Sequence, residues 1–309
     1  MRILVTGASG WIGQAVSREL LRSGNQVMGL ARTDRAANVM DDLGAEVLRG
    51  TLDDLDLLHS AAGRSDGVIH LAFKHDLAFG GDFMGAALAD RRAVETFGDA
   101  LADSGRPLVI ASGTLGVSPG QISYEIDGHT DPTDLASVGE GPLARRATAE
   151  YTLSLATRGV RSVVVRLPPT NHGDGDNGFL AMLVSIARET GQSCYIGSGS
   201  NRWPAVHRLD SAHLFYLALE QARPGATLHA VAEEGVAIRD IAGVIGRHLN
   251  VPVVSIDETK AQEHFTWLAQ FLQVDSPASS AMTRELLNWE PVEPDLIDDL
   301  DAGHYFVTR

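Results

Sequence analysis

The sequence predicts an α/β fold built on a doubly wound parallel sheet, with helices on both faces. Short apolar segments alternate with amphipathic segments of helical period through the first half of the chain. This alternation is typical of βαβ units. The first apolar segment also runs directly into a glycine-rich turn and a helix. At 309 residues, the chain is long for a single core and suits one large α/β domain with a smaller second domain.

The first thirteen residues, M-R-I-L-V-T-G-A-S-G-W-I-G, carry the most specific motif of the chain. In a dinucleotide site, the first glycine makes a tight turn, the second admits a pyrophosphate and the third lets the helix pack on the strand. The helix N-terminus adds N–H groups and a partial positive charge. A glycine-rich turn without a ligand is the alternative, which the strand before and the helix after it disfavour. The predicted cofactor-binding residues here are Thr6, Gly7, Ser9, Gly10, Trp11, Ile12 and Gly13.

The second strand, Val27–Ala31, ends at Arg32 and Thr33. A site selective for NAD(H) places an acid near this point, where it binds the ribose 2′-hydroxyl. An arginine instead binds a phosphate through paired hydrogen bonds. Arg32 and Thr33 therefore favour NADP(H), with NAD(H) as the alternative cofactor. A solvated surface arginine is the competing interpretation.

The other strands of the first half are predicted at Glu46–Arg49, Gly67–Phe73, Pro107–Ala111 and Arg161–Leu167. Helices are predicted at Ala36–Leu43, Leu55–Ala62, Met84–Ala102 and Leu143–Thr157. Because ligands of open α/β sheets bind at the carboxyl ends of strands, we expect cofactor contacts from Leu52, Leu71, Ala72 and Phe73. Leu52 and Asp53 are expected to flank the adenine, with a plain strand-end turn as an equal alternative. Residues 115–141 read as a long polar loop, which is often functional.

The second half begins with a polar loop, Asn171–Gly178, whose spacing does not match a calcium loop, so no metal site is predicted. Asp210 is expected to cap a helix that follows Arg202–Leu209. A short strand is expected at Leu228–Val231. Further helices are predicted at Phe179–Thr190, Ile238–Leu249, Glu258–Leu272, Thr283–Leu287 and Pro294–Leu300.

The composition excludes several classes of partner. A net charge of −15 argues against nucleic acid and anionic membrane surfaces. The single cysteine, Cys194, rules out an internal disulfide and fits a reducing cytoplasm. No apolar run approaches the ~20 residues that span a bilayer, and the first residues do not read as a signal peptide.

Several segments follow one another as in a known superfamily: T-G-A-S-G-W-I-G, H-L-A, I-A-S-G-T, R-L-P-P-T-N-H-G and P-A-V-H-R-L-D. In this order they resemble the extended and atypical short-chain dehydrogenases/reductases, which include sugar-nucleotide epimerases and dehydratases. The resemblance implies a Rossmann-type NAD(P)-binding domain at residues 1–170, completed by about 205–222. It also implies a smaller, mainly substrate-binding α/β domain at 171–309. Extended relatives pair through two helices of the first domain, which leaves a monomer or a homodimer.

The usual active site of this superfamily is a Ser or Thr with a Tyr-x-x-x-Lys pair, in which the lysine lowers the tyrosine pKa. None of the five tyrosines has a lysine four residues later; they are Tyr124, Tyr151, Tyr195, Tyr216 and Tyr305. Alignment on A-T-A-E (147–150) places Arg146 at the lysine position and Pro142 at the tyrosine position. The chain resembles a subgroup that replaces the pair with His and Arg, and only the Arg is kept here.

The remaining polar residues limit the chemistry. Arg146 can bind ribose or cofactor phosphate and stabilise an oxyanion, but it cannot act as a base. Thr114 or Ser112 can bind a substrate oxygen, and we favour Thr114. His172 and His207 are candidate proton donors, although a lone histidine is more often structural. By the resemblance, Pro168, Pro169 and Thr170 run past the nicotinamide. Tyr124, Arg202 and Trp203 are candidate substrate residues, with Trp203 equally consistent with a core position.

These observations predict an NADP(H)-dependent oxidoreductase that transfers a hydride to or from a small carbonyl, imine or alcohol. The missing Tyr-Lys pair motivates a second hypothesis, a cofactor-binding sensor with little turnover. An epimerase or dehydratase that oxidises its substrate transiently is a third, although such enzymes also need a competent base.

Overall fold

The computed structural model describes residues 1–129 and 142–307. The chain forms two compact units. Unit 1 comprises Met1–Ser112, His129–Arg166 and Ala212–Leu228, and unit 2 comprises Gly113–Gly128, Leu167–Ser211 and His229–Arg309. Residues 130–141, the end of the predicted long loop, and residues 308–309 lie outside the described part, as do the side chains of Phe79, Pro142 and Leu143.

The described strands are β1 (Arg2–Thr6), β2 (Gln26–Ala31), β3 (Glu46–Arg49), β4 (Gly67–His70), β5 (Pro107–Gly113), β6 (Arg161–Leu167), β7 (Thr170–His172), β8 (Ser193–Ile196), β9 (Arg202–His207), β10 (Ala226–His229), β11 (Glu233–Ala237) and β12 (Val253–Ile256). The helices are α1 (Trp11–Arg22), α2 (Asp34–Leu43), α3 (Leu55–Gly63), α4 (His75–Phe79), α5 (Phe83–Leu101), α6 (Pro142–Ser154), α7 (Phe179–Thr190), α8 (Arg208–Gln221), α9 (Ile238–Leu249), α10 (Glu258–Phe265), α11 (Ala269–Leu272), α12 (Ala281–Leu287) and α13 (Leu296–Asp301).

Unit 1 is organised by a seven-stranded sheet with the order β10-β6-β5-β4-β1-β2-β3. Strand β1 pairs in parallel with β2 and with β4, so that Ile3 lies between Val27 and Gly67. The β2–β3 and β4–β5 pairs are also parallel. The strand order reverses beside β1, and ligands of doubly wound sheets bind at such a switch point. The predicted fold class is confirmed.

Strand β1 is buried on both faces because helices cover the sheet on both sides. Its residues Ile3, Leu4 and Val5 have no exposed surface, as expected for a central parallel strand. Helix α1 buries Val16 and Leu20 from its apolar stripe. These contacts position the end of β1 and the start of α1, which together make the glycine loop.

Unit 2 contains a three-stranded sheet of order β11-β9-β7 and a two-stranded sheet of β12 and β8. Its core includes the fully buried Trp203 together with apolar side chains of α7 and α9. Strand β9 is missing from the sequence prediction, which has residues 202–209 leading into a helix. Strands β7, β8, β11 and β12 are missing as well. They are short, and β11 and β12 are only partly buried, so they carry no clear apolar alternation.

Three further predictions differ from the structure. Strand β4 ends at His70 rather than Phe73. The helix expected at Glu258–Leu272 is interrupted at Thr266, which has a φ of 52°. Asp210 is not a helix cap, because α8 begins two residues earlier and the Asp210 carboxylate accepts hydrogen bonds from the backbone N–H groups of Val292 (2.9 Å) and Glu293 (3.1 Å).

None of the helices in the described ranges is both long and apolar enough to span a membrane.

Candidate functional site

The glycine loop between β1 and α1 has a shape that side chains would destroy. Gly7 has a φ of +71°, and a Cβ atom there would lie 2.8 Å from the backbone N of Ala72. At Gly13 a Cβ atom would lie 2.0 Å from the Gly7 carbonyl oxygen. These are backbone contacts that a rotamer change cannot relieve. The glycines at both positions therefore allow the loop, the end of β4 and helix α1 to approach one another closely.

The N-terminus of α1 has no side-chain cap. Gly10 precedes the helix in an extended conformation. The Gly10 carbonyl accepts the Gln14 N–H at 2.8 Å, while its own N–H donates to Gly7 O at 2.9 Å. Trp11 and Ile12 form the first turn and are partly exposed, as is Ser9 in the loop. An uncapped N-terminus with a glycine loop is a common phosphate site.

A buried hydrogen-bond chain ties the loop to the neighbouring strand and to α5. The Thr6 hydroxyl lies 2.6 Å from His70 Nδ1 and accepts the Ala72 N–H at 3.3 Å. His70 Nε2 lies 3.0 Å from a carboxylate oxygen of Asp90. All partners are satisfied if the neutral imidazole donates from Nε2 to Asp90 and accepts the Thr6 hydroxyl proton at Nδ1. The side chain of Thr6 therefore holds the strand ends together from within.

Charged side chains lie at the ends of β2 and β4. Arg32 Nη1 lies 2.9 Å from a carboxylate oxygen of Asp76, and both side chains are largely exposed. Lys74 Nζ lies 2.6 Å from Asp53. Thr33 caps α2, since its hydroxyl oxygen accepts the Ala36 N–H at 3.2 Å. Thus Arg32 is accessible at the position expected for a cofactor 2′-phosphate.

The apolar residues predicted to contact the cofactor differ in burial. Leu52 is 7% exposed and packs in the core of unit 1. Leu71, Ala72 and Phe73 follow β4 and are each partly exposed. The guanidinium of Arg145 lies over the Phe73 ring, 4.5 Å from its centroid. The three residues after β4 are therefore apolar and partly exposed, and the Arg145 guanidinium packs on the ring of the last of them.

Sequence reasoning missed Arg145. Its Nη2 donates to the carbonyl of Ala111, near the end of β5, at 3.4 Å, and its Nε has no hydrogen-bond partner among the described residues. The neighbouring Arg146 lies in the field of Glu150 on the same helix. Burial lowers the pKa of both arginines, against the attraction of Asp90 for Arg145 and of Glu150 for Arg146. The A-T-A-E alignment selects Arg146, and the contacts with Phe73 and Ala111 add Arg145 as a second candidate.

The hydroxyls at the end of β5 have different surroundings. Ser112 is 8% exposed and lies in unit 1. Thr114 is completely buried in unit 2, and its hydroxyl has no hydrogen-bond partner among the described residues. Its backbone N–H donates to Leu167 O at 3.0 Å. A buried hydroxyl without a partner is costly, so of these two Thr114 is the hydroxyl whose burial is not offset by a hydrogen bond among the described residues.

His172 lies at the end of β7 and has no exposed surface. Its Nδ1 lies 3.0 Å from a carboxylate oxygen of Asp299, and its Nε2 has no hydrogen-bond partner among the described residues. Burial opposes ionisation of Asp299, but the hydrogen bond and charge of His172 outweigh it and lower the pKa of Asp299. The pair is therefore a buried carboxylate–imidazole contact within unit 2.

His207 lies at the end of β9, with its ring 5.4 Å from that of His172. The backbone N–H of Leu209 donates to His207 Nδ1 at 3.3 Å, so the neutral ring carries its proton on Nε2. Burial and the neighbouring His172 lower the pKa of His207. The side chain is 9% exposed, compared with none for His172, so His207 is the more accessible of the two histidines.

The three residues of unit 2 that were predicted to contact the substrate differ in their exposure and in their contacts. The Arg202 guanidinium makes two contacts with Asp275, at 3.1 and 3.0 Å. Trp203 is fully buried, and its indole N–H donates to Val274 O at 3.2 Å. Tyr124 is 43% exposed. Trp203 thus occupies the core position that the sequence left open, whereas Tyr124 keeps an accessible ring.

The segment predicted to pass the nicotinamide begins directly after β6. Pro168 is buried and Pro169 is partly exposed. Thr170 is buried, and its hydroxyl donates to the carbonyl of Pro204 on the neighbouring strand β9. Among the described residues, no group of three or more His, Cys, Asp or Glu side chains is arranged to hold a metal ion.

Comparison with known proteins identifies the family. Residues 3–231 match the NAD dependent epimerase/dehydratase family. The chain belongs to this family. Membership confirms the resemblance inferred from the motifs, and it makes the chain an NAD(P)-dependent enzyme with a nicotinamide dinucleotide as cofactor.

Individual relatives cover most or all of the chain. A protein of Schizosaccharomyces pombe, described as uncharacterized, is 43% identical over 307 residues, which cover 99% of this chain and 100% of that protein. The 2-alkyl-3-oxoalkanoate reductase of Stenotrophomonas maltophilia is 28% identical over 229 residues, 73% of this chain and 67% of the reductase. The structure of a dTDP-glucose 4,6-dehydratase of Streptomyces venezuelae with NAD and TYD bound has a TM-score of 0.76 and 19% identity, covering 98% of this chain and 96% of that one. The last similarity concerns the fold alone.

Proposed function

We propose that this family member is an NADP(H)-dependent oxidoreductase that transfers a hydride to or from a small carbonyl, imine or alcohol substrate. The observation that carries the proposal is the exposed Arg32 at the end of β2, in the unit that also holds the glycine loop. A guanidinium there recognises the 2′-phosphate that distinguishes NADP(H) from NAD(H). The oxoalkanoate reductase among the relatives supports a carbonyl substrate.

The residues of unit 1 fit a dinucleotide, because added Cβ atoms would close the loop that a pyrophosphate needs. In the proposal, the loop and the N-terminus of α1 bind the pyrophosphate, while Arg32 and Thr33 bind the 2′-phosphate. The nicotinamide supplies or accepts the hydride when the cofactor is bound. The remaining proposed cofactor contacts are Leu52, Leu71, Ala72, Phe73, Pro168, Pro169 and Thr170.

The arginines of α6 take the place of the family lysine. Arg146 is the residue selected by alignment, and Arg145 contacts Phe73, which follows β4, and Ala111 in β5. A guanidinium cannot accept a proton at neutral pH. Its role is therefore to bind the ribose or to stabilise negative charge on the substrate oxygen. The partly buried environment strengthens that attraction.

Two residues are assigned to the substrate. We assign Thr114 to bind the substrate oxygen and His207 to donate a hydrogen bond or a proton to the substrate. The Thr114 hydroxyl is the only hydroxyl of the pair Ser112 and Thr114 that is buried without a partner among the described residues. His207 presents Nε2–H and retains some exposure, whereas His172 is enclosed with Asp299. His172 is then a support for His207. Tyr124 and Arg202 remain proposed substrate contacts.

Binding and turnover test the proposal separately. NADPH and NADH are titrated against the protein by nucleotide fluorescence, and NADPH consumption is followed with a panel of aldehydes, ketones and imines. Arg32→Ala is expected to weaken NADPH about 10- to 100-fold, the value of a charge-assisted hydrogen bond, and to leave NADH unchanged. Equal weakening of both nucleotides refutes the cofactor preference.

A second function is favoured by one observation, the missing Tyr-x-x-x-Lys pair. A protein that binds NADPH tightly but consumes none with any substrate of the panel would be a cofactor-binding sensor. The turnover measurement above separates the two functions, because nucleotide binding is common to both.

Three broader expectations stay predictions. We propose that unit 1 binds the nucleotide and that unit 2 supplies most of the substrate contacts, as the sequence division at residue 170 suggested. A cytoplasmic location and a monomeric or homodimeric state are expected as well. Light scattering on the purified protein tests the last of these.

A further inference from the structure

Four charged side chains of unit 1 form a ribose-edge cluster, which we define as Arg32, Asp53, Lys74 and Asp76. They come from three segments of the chain: Arg32 follows β2, Asp53 lies between β3 and α3, and the other two flank the start of α4. Both ion pairs in the cluster join different segments, at 2.9 Å for Arg32–Asp76 and 2.6 Å for Lys74–Asp53. The cluster is therefore a tertiary feature and not a consequence of local sequence.

The topology places these pairs across the nucleotide edge of the sheet. Strands β1 and β2 lie between β4 and β3 in the sheet order. Residues 74–76 follow β4, yet their side chains contact the residue after β2 and the loop after β3. They therefore reach over the carboxyl ends of the intervening strands. The adenine ribose of a dinucleotide binds at this edge, beside the residue that ends β2.

The charges of the cluster match those of a phosphate. Each of the two cations contacts one carboxylate, and Asp53 also lies 3.9 Å from Arg92, so the four cluster residues carry two positive and two negative charges beside a third cation. A phosphate monoester carries about −1.5 to −2 charges at neutral pH. A 2′-phosphate therefore brings to Arg32 and Lys74 nearly the same charge that Asp76 and Asp53 supply within the protein.

We propose that Arg32 and Lys74 together bind the 2′-phosphate of NADP(H), and that Asp76 competes with this phosphate for Arg32. The proposal rests on the NADP(H) preference inferred above and adds two residues that decide its strength. Lys74 becomes a second recognition residue, and Asp76 becomes the residue that limits selectivity. NAD(H) has no 2′-phosphate and leaves both ion pairs intact.

Exchange of the partners is energetically accessible. The side chains of Arg32 and Asp76 are 63% and 61% exposed. Exposed ion pairs contribute little because water solvates the separated charges. The hydrogen bond from Arg32 lowers the pKa of Asp76, so Asp76 is ionised and competes throughout the neutral range. Lys74, at 25% side-chain exposure, is the better shielded cation and gains more from a dianion.

Titration of NADPH and NADH by nucleotide fluorescence against three variants tests the proposal. Asp76→Asn removes the competitor and its charge, and it is expected to tighten NADPH about two- to fivefold, the range for releasing one exposed ion pair. Lys74→Met is expected to weaken NADPH about tenfold, the loss of one charged contact. NADH affinity stays within twofold of the wild-type value in both variants.

Asp99→Asn is the matched control. Asp99 forms an exposed ion pair with Arg158 at 2.9 Å. Its replacement by Asn removes one negative charge from unit 1, as Asp76→Asn does. Asp99 lies near the C-terminal end of α5, away from the residues that follow β2, β3 and β4. No change in either nucleotide affinity is expected. Tightening of NADPH by Asp99→Asn equal to that by Asp76→Asn would show a general charge effect and overturn the proposal.

The experiment also separates this inference from the proposed function. If Arg32→Ala weakens NADPH selectively while Asp76→Asn and Lys74→Met leave NADPH unchanged, the cofactor preference stands and the cluster proposal is wrong. If Arg32→Ala affects both nucleotides alike, the preference itself is wrong. Thermal unfolding of each variant within about 2 °C of the wild type confirms that affinities are compared between folded proteins.

Discussion

Gly13→Ala is the sharpest test of the glycine loop, because it adds a single carbon atom at the tightest backbone contact. The new Cβ would lie 2.0 Å from the carbonyl oxygen of Gly7 and 2.9 Å from the Cα of Ala8. Since Cβ atoms do not approach within 3.0 Å of other heavy atoms, α1 and the loop must separate by about 1 Å. No side chain can move to relieve this contact.

The separation has two measurable consequences. Overpacking of this kind destabilises a protein by about 1–3 kcal/mol. A shift of the loop also misaligns the N–H groups that face the pyrophosphate, and each charge-assisted hydrogen bond is worth about 1.5–3 kcal/mol. We therefore expect NADPH and NADH to bind at least tenfold more weakly. Both nucleotides are affected because they share the pyrophosphate.

Gly243→Ala is the control with the opposite expected sign. Gly243 lies within α9, and a Cβ atom there would meet nothing within 4 Å. Alanine is favoured over glycine inside a helix by about 1 kcal/mol, so this variant is expected to melt about 2 °C higher. Its nucleotide affinity should not change. Glycine is replaced by alanine in both variants. Gly243→Ala therefore reports helix propensity alone, and Gly13→Ala adds the steric contact with the backbone of the loop.

Nucleotide fluorescence titration and thermal unfolding by circular dichroism give both quantities for each variant. The reasoning fails if Gly13→Ala binds NADPH within twofold of the wild type, because the loop would then tolerate the Cβ without moving. Loss of stability without loss of affinity would show that the contact supports packing but not the nucleotide site.

The two arginines of α6 and the accessible histidine give further tests. Arg145→Met is expected to lower kcat at least tenfold in steady-state NADPH oxidation, because its buried guanidinium lies over Phe73 and can stabilise charge on the substrate oxygen. Arg146→Met is measured beside it, and an unchanged kcat for Arg145→Met with a large loss for Arg146→Met would favour the alignment. The lowered pKa of His207 means that the unfolded chain binds this proton more readily than the native protein. Its stabilising contribution is therefore present above about pH 6.5 and is lost as the pH falls through the native pKa. His207→Gln should flatten the acid side of the urea-unfolding free energy plotted against pH, and an unchanged slope would contradict this assignment.

Sequence patterns predicted unit 1 well because its elements are long and strongly patterned. The central strand β1 is a run of buried apolar residues, and helix α1 has a single apolar stripe. Helical periodicity identifies α1, and the short length of the apolar run together with the glycines after it identifies β1. Unit 2 is different, since every residue of β11 and β12 is at least partly exposed. These strands pair with β9 and β8 through backbone groups. Hydrogen bonds between backbones leave no trace in the choice of side chains, so these strands were missed.

The sequence predicted the parts of the candidate site that need a particular residue type. It could not predict the parts that depend on where a side chain points. Glycine is needed at Gly7 and Gly13 for steric reasons that the motif states directly. Arg145 and Arg146 are adjacent on one helix, so their side chains project about 100° apart. The alignment selected Arg146 alone, and the contacts of Arg145 with Phe73 and Ala111 could not be read from the sequence. Likewise, the pairing of Arg32 with Asp76 joins residues 44 positions apart.

The buried hydrogen bonds among Thr6, His70 and Asp90 join a residue of the glycine motif to residues that the motif does not specify. Thr6 opens the glycine motif and His70 ends β4, yet nothing in the sequence connects positions that lie 64 residues apart. A buried polar chain is stabilising only when every donor and acceptor is paired. Here the Ala72 N–H, the Thr6 hydroxyl, both ring nitrogens and the carboxylate each have a partner. Slippage of β1 against β4 would leave several of these groups buried and unpaired, at about 1–3 kcal/mol each. These hydrogen bonds therefore restrain the glycine loop at the place where the pyrophosphate is proposed to bind. Backbone N–H groups that are held in position in this way need no costly rearrangement when an anion binds.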